Sequence, residues 1–202
     1  MILHSCLIRP GWFAGIADTL PNLKLLNIGS SAKTTDSDLG HISKCSGLTS
    51  LDISGCYRVS QTGVENIATS LLNLKELNLE SCGAVTDLAL HHIARNLKQL
   101  EVLSLGRESP KDSAIKYTNI ALINYIPLMA SLCQLNLRNS ACDDAVLRAF
   151  DKMRRNLVRL DVSFTKVSLS AVETFSEACT VIHEGIVDAS LESTYSGETL
   201  EV

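Results

Sequence analysis

Laid against itself, the chain repeats one pattern of apolar positions. Leu-x-x-Leu-x-Leu, with Ile or Val allowed at its last place, occurs at Leu23-Leu26-Ile28, Leu48-Leu51-Ile53, Leu74-Leu77-Leu79, Leu100-Leu103-Leu105, Leu132-Leu135-Leu137 and Leu157-Leu160-Val162. Successive starts lie 25, 26, 26, 32 and 25 residues apart. A nearly constant step of this size marks stacked structural repeats. Within each motif the last two aliphatics flank a polar residue, the alternation of a strand with one buried face.

The second half of each unit is equally regular. A small residue or cysteine follows the strand: Ser31, Cys56, Cys82, Ser140, Thr165. Next comes a polar pair (Thr35-Asp36, Ser60-Gln61, Thr86-Asp87), then aliphatics at helical spacing (Leu39 and Ile42, Val64 and Ile67, Leu90 and Ile93). Thr or Ser at that junction can accept an orphan N–H and start a helix. Each unit therefore reads strand, turn, helix. One such unit cannot bury its apolar side alone, whereas stacked neighbours share a continuous core. The predicted class is α/β: a solenoid with a parallel sheet inside and helices outside.

Seven cysteines occur, at positions 6, 45, 56, 82, 133, 142 and 179, with no CxxC pair. Cys56 and Cys82 hold equivalent repeat positions, and Cys45 stands where Leu71, Leu97 and Met129 stand in other units. A thiol there serves as a small interior hydrophobe, and an odd, scattered set is no disulfide framework. The units at 45–68 and 71–94 resemble the cysteine-containing leucine-rich repeat, C-x-x-L-x-x-L-x-L-x-x-C-x-x-(I/V)-T-D-x-x-L-x-x-(I/L)-A. F-box leucine-rich-repeat proteins and relatives of the yeast antagonist of mitotic exit carry it. The resemblance spans about residues 20–180 and weakens later, where Glu108, Ser140 and Thr165 replace the second cysteine. It implies a right-handed horseshoe. The residues ahead of Leu23 are too few for an F-box, so the ligase-docking element of such proteins is not expected here.

The expected organisation is a degenerate first repeat or cap at 1–22, a solenoid of about six repeats at 23–180, and a C-terminal cap with a mobile acidic tail at 181–202. Leu3, Cys6 and Ile8 keep the motif spacing, and Pro10 follows where a strand should end. The fourth unit carries about six extra residues within 106–119, a surface insertion of small cost beside the inner face and a plausible contact element. From Thr180 the pattern is lost.

Composition narrows function more than it defines it. Apolar residues make up 46% of 202, and the net charge is −4, which gives no basic footprint for nucleic acid. No stretch approaches the roughly 20 apolar residues of a membrane helix, and the first residues lack the basic segment of a leader. A soluble intracellular protein, cytoplasmic or nuclear and monomeric outside a complex, is expected. Ser30-Ser31-Ala32-Lys33 and Ser113-Ala114-Ile115-Lys116 fit Ser-x-x-Lys but lack companion motifs. Adjacent His91 and His92 point about 100° apart on a helix and cannot readily share an ion; solvent exposure is expected for both. Neither cofactor, metal nor catalysis is expected.

Strand alternation assigns an open face to Asn27, Asp52, Asn78, Ser104, Asn136 and Asp161, flanked by Glu76, Glu80, Val102, Gln134, Arg138, Arg159 and Ser163. That row is polar, acidic near the middle and basic toward the C-terminal repeats. It suits a protein partner better than a small molecule, which needs a deep apolar pocket. Lys152, Arg154 and Arg155 extend a basic run toward Arg159. The resemblance implies recognition of a protein partner, in ubiquitin ligation or as a scaffold of a cytoskeletal or regulatory complex. A GTPase-activating role, as in the repeat-built Ran activator, would use Arg107 or Arg138 by position.

Overall fold

The computed structural model describes residues 1–5, 9, 11–83, 85–109, 116–153, 155–176 and 179–185. Six motifs become six strands: β1 (Leu25–Asn27), β2 (Ser50–Asp52), β3 (Glu76–Asn78), β4 (Val102–Ser104), β5 (Gln134–Asn136) and β6 (Arg159–Asp161). A seventh, β7 (Thr180–Ile182), follows. Among the described residues these form one parallel sheet in chain order. The register never slips, because Leu26, Leu51, Leu77, Leu103, Leu135, Leu160 and Val181 pair in succession. A one-residue slip would turn every leucine to water. β7 departs from the motif because only Val181 keeps its aliphatic place; exposed His183 stands where the other strands carry Ile, Leu or Val.

Helices return the chain along the outside: α1 (Ile16–Thr19), α2 (Asp36–Ile42), α3 (Gln61–Ser70), α4 (Asp87–Asn96), α5 (Asn119–Tyr125), α6 (Asp144–Phe150) and α7 (Leu169–Ser176). Thr35, Ser60, Thr86, Thr118 and Asp143 precede five of them in extended conformation, as N-caps. Side-chain oxygens of Ser60, Thr86, Thr118 and Asp143 accept from N–H groups of the first turn, and Thr35 forms a capping box with Asp38. The core between the layers holds the motif leucines together with Leu39, Ile42, Val64, Ile67, Leu90, Ile93, Leu122, Leu147 and Phe150. At the N-terminal end Ile2 bridges Asn27 in parallel, so the first residues extend the sheet by one contact. Cys6, Leu7, Ile8 and Pro10 lie outside the described residues, as does the acidic tail from Ile186.

The acidic residue after the cap has a second task that the sequence motif hides. Asp36 accepts from the N–H and hydroxyl of Ser60, the cap of the next helix. Asp87 does the same for Thr118, at 2.6 and 2.9 Å, and Asp144 for Ser168, at 2.7 and 2.9 Å. Between α3 and α4 the hydroxyl of Thr86 donates to the amide oxygen of Gln61. Four caps, Ser60, Thr86, Thr118 and Ser168, are thus clamped from the preceding helix start. Between α5 and α6 the clamp fails: Asn119 takes the place of Asp36, Asp87 and Asp144, the next cap is itself an acceptor, Asp143, and the buried Asn119 Oδ1 has no donor.

A left-handed residue turns the chain away from the sheet two positions after the last strand aliphatic. Ser30, Gly55, Ser81, Asn139 and Phe164 occupy it with φ of 58°, 64°, 54°, 54° and 56°. Their N–H groups still donate to the next repeat, at Ser54, Glu80, Gly106, Ser163 and Glu184 carbonyls. The fourth repeat has Arg107 there, where the extra residues begin. The expected insert is narrower than 106–119. The Gly106 carbonyl still accepts from Ser81 of the preceding repeat and the Arg107 N–H still donates to Arg138 of the next, and Lys116 bridges Thr86 while Thr118 caps α5. The extra residues therefore precede Lys116, and 110–115 lie outside the described residues.

Two stability tests follow from this packing. Leu77→Ala should cost about 3 kcal/mol in urea denaturation, and Leu77→Asp should abolish the cooperative transition, since it buries an unpaired charge; wild-type melting of the Asp variant would refute the register. Asn119→Asp combined with Asp143→Ser should restore the missing clamp and add about 1 kcal/mol, while Asn119→Asp alone, carboxylate against carboxylate, should destabilise.

Candidate functional site

The inner sheet face carries three rows of side chains. First strand residues Ser50, Glu76, Val102, Gln134 and Arg159 align across β2–β6, and so do third residues Asn27, Asp52, Asn78, Ser104, Asn136 and Asp161 across β1–β6. A third row, immediately beyond the strands, includes Ser54, Glu80, Gly106, Arg138 and Ser163. Glu76, Gln134 and Arg159 are exposed; the whole central row is half-buried.

The central row owes its half-burial to work within the fold. Oδ1 of Asn27, Asp52, Asn78, Asn136 and Asp161 each accepts the N–H two residues on, at 2.9–3.0 Å. These short side chains close each strand with an Asx turn. Asn27 also donates to Asp52 at 3.0 Å. The rows on either side are more available. Glu76 accepts from the Ser50 hydroxyl at 2.8 Å. Burial, then the carboxylates of Glu108 and Asp161, pushes the Glu80 carboxyl above the usual range, with Arg138 and Asn136 acting against that shift.

The two arginines singled out by position are both engaged. Arg107 donates through Nε and Nη2 to the Asn139 carbonyl, at 3.1 and 2.7 Å, and Asn139 Nδ2 donates back to the Arg107 carbonyl at 2.9 Å. Arg138 lies 4.6 Å from the Phe164 ring centroid and pairs with Glu184 at 3.2 Å. A side chain at residue 106 would collide with Asn136 Oδ1 at 2.7 Å and the Arg138 backbone at 2.9 Å, which is why glycine stands between Glu80 and Arg138. Two clefts open here. One, of about 230 Å³, lies over Val102, Gln134, Arg159 and Asp161. The other, of about 220 Å³, lies at the rim between Tyr57, Glu80, Ser81 and Glu108. Tyr57 and Glu108 carry no strand-motif signal, and only the shared rim brings them together.

Away from this face, the outer surface corrects one expectation. His91 and His92 are half-buried and partnered: His92 Nε2 lies 3.3 Å from Glu65 of α3, and His91 meets the Tyr125 ring edge-on at 5.1 Å. Helix neighbours spaced by the repeat cover them. The basic run divides, with Lys152 and Arg155 exposed on the way to the sheet and Arg159 on its inner face; Arg154 lies outside the described residues. Among the described residues no group of three His, Cys, Asp or Glu could hold a metal ion, and no helix is long and apolar enough to cross a membrane.

The thiols are interior groups. Cys45, Cys56, Cys82, Cys142 and Cys179 are buried, and Cys133 is half-buried. Cys56 Sγ donates to the Ile28 carbonyl and Cys82 Sγ to the Cys56 carbonyl, at 3.4 and 3.6 Å. In the fourth repeat, which has no cysteine there, buried Tyr117 donates to the Leu105 carbonyl at 3.1 Å. Burial pushes the Cys56 thiol up to about 12 and raises Cys142 and Tyr117 as well.

Strand, turn and outer helix at this step, in one unbroken parallel register, define a leucine-rich-repeat fold. Human F-box/LRR-repeat protein 12 is 28% identical over 136 residues, covering 65% of this chain and 39% of that protein. A candidate RNA-binding protein of Caenorhabditis elegans is 29% identical over 155 residues, covering 64% of this chain and 20% of its own length. The chain thus spans about two fifths, or less, of these relatives. No protein-family model matches. Among solved structures, internalin C2 of Listeria monocytogenes superposes with a TM-score of 0.52 at 17% identity, over 80% of this chain and 61% of its own. TLR13 in its complex with a single-stranded RNA gives 0.56 at 17%, over 90% and 28%. At this identity both speak to the fold alone.

The raised thiols make stability depend on alkali. An unfolded thiol ionises near pH 8.5, whereas Cys56 in the fold holds its proton to about 12. The folded state is favoured fully below the unfolded value and loses that advantage as pH rises between the two. Urea midpoints should be level from pH 7 to 8 and fall from about pH 9 upward, with a shallower fall in Cys56→Ala.

Proposed function

We propose that this chain is a protein-recognition module that holds its partner on the inner sheet face. The observation that carries it is the row structure: the central Asn and Asp side chains are fixed by their own turns, so Glu76, Glu80, Gln134, Arg138 and Arg159 stand on a preformed ladder. Such a surface loses little freedom on binding. Its clefts are shallow and polar, poor for a small apolar ligand. The relatives named F-box/LRR-repeat protein 12 support the narrower function of choosing substrates in ubiquitin ligation. A scaffold role would use the same face. Arg107, with its guanidinium turned onto Asn139, and Arg138, paired with Glu184, are poor candidates for insertion into a nucleotide site, which disfavours the GTPase-activating alternative.

The test is affinity purification of the tagged chain with mass spectrometry, beside a Glu76→Lys/Arg138→Glu variant of unchanged melting temperature. Loss of the wild-type partner set from the variant is expected, with ligase components or short-lived clients marking the ubiquitin role. Retention of every partner would assign binding elsewhere on the molecule.

A further inference from the structure

The inner face is uneven in charge. Across β2–β4 and the turns that leave them stand Asp52, Glu76, Glu80 and Glu108 among the described residues; of the cations there, Arg58 is exposed, Lys75 pairs with Glu101 at 2.7 Å, and Arg107 is turned onto the Asn139 carbonyl. Across β5 and β6, Arg138 and Arg159 are met by Asp161 and by Glu184. The first half is therefore in carboxylate excess and the second is near balance. The excess centres on the rim cleft of about 220 Å³, where Glu80 and Glu108 line one side and Tyr57, 62% exposed, lines the other. Hydroxyls of Ser30 and Ser54 complete its polar wall.

We propose that this cleft receives a lysine or arginine side chain from an extended, basic segment of the protein partner. This rests on the inner-face reading above. The geometry supplies what a long cation needs: two carboxylates as counter-charges and an aromatic face for the stem or the guanidinium plane. Burial and Glu108 raise the proton affinity of the half-buried Glu80, and a bound cation would act against that rise. The volume takes one side chain, not a folded element. Gly106 adds no side chain of its own between Glu80 and Arg138, its place being taken by Asn136 Oδ1 and the Arg138 backbone.

The experiment is NMR titration of the ¹⁵N-labelled chain with ten-residue peptides that differ only at their centre: arginine, citrulline or glutamate. Arginine should shift the amides of Tyr57, Glu80, Ser81 and Glu108. The neutral isostere and glutamate should bind about tenfold more weakly, as should arginine to Glu80→Gln/Glu108→Gln, the loss of a charge-assisted contact. Tyr57→Ala should weaken arginine by about threefold. Equal binding of citrulline, or shifts confined to other residues, would overturn the proposal. So would self-association of the peptide-free chain that is lost in Glu80→Gln/Glu108→Gln, which would give the cleft to a second copy. The two levels separate cleanly: purified partners lost from Glu76→Lys/Arg138→Glu but kept by Glu80→Gln/Glu108→Gln refute the cation cleft alone. Partners kept by both refute the inner face itself.

Discussion

Each repeat buries its leucines only because the next lies one strand spacing away and in the same register. The parallel hydrogen bonds do not stop at the three-residue strands. Ile28, Ile53, Leu79, Leu105, Leu137 and Val162 each donate to the following repeat, and so does the residue two positions on. On the outer side Asp36, Asp87 and Asp144 bind the next helix cap through both its N–H and its hydroxyl. A repeat is thus tied to its neighbour at the sheet, at the turn and at the helix start. Stability in such a stack is close to a sum of nearest-neighbour terms, so a fault in one tie is felt mainly at one junction.

The junction between the fourth and fifth repeats collects several departures. Arg107 stands at the place that is left-handed in the other repeats, the small interior residue is replaced by Glu108, the extra residues follow, and the Asn119 acceptor is orphaned. Compensation is local. Tyr117 donates to the Leu105 carbonyl within its own repeat, and Arg107 and Asn139 exchange hydrogen bonds across the turn. The sheet register passes through unchanged, from Leu103 to Leu135. Insertion at the turn is tolerated because the strand and the helix cap are each anchored independently.

Much of the fold was legible because apolar identity and repeat step coincide: a leucine at the central place of β1–β6, Thr or Ser at the caps of α2, α3 and α4. What was hidden follows a different logic. β7 keeps one aliphatic of three, so its pairing with β6 depends on backbone bonds that no motif records. The left-handed position is filled by Ser, Gly, Ser, Asn and Phe, a set with no shared chemistry; in Phe164 a bulky side chain accepts a backbone conformation that costs it about 1–2 kcal/mol. The helix-start acids were legible as turn residues but not as clamps, since their partner is some 25 residues away and belongs to another unit. His91 and His92 looked solvent-facing from one helix in isolation, and the neighbouring helices cover them.

The inner face was legible as a row of exposed polar positions, but sequence could not divide that row by task. Asn and Asp at the central place are short enough to reach the N–H two residues on, and five of them do so. Their oxygens are committed before any partner arrives, and their uniformity comes from closing strands, not from choosing ligands. Discrimination between partners must then come from the flanking rows, where side chains are longer and differ from repeat to repeat: Glu76, Val102, Gln134, Arg159 on one side, Glu80, Gly106, Arg138 on the other. Because register fixes these at the spacing of adjacent strands, about 4.8 Å, the order of repeats becomes an order of charges along the groove. A partner is read by how its own charges fall on that scale, while the central ladder keeps the scale rigid.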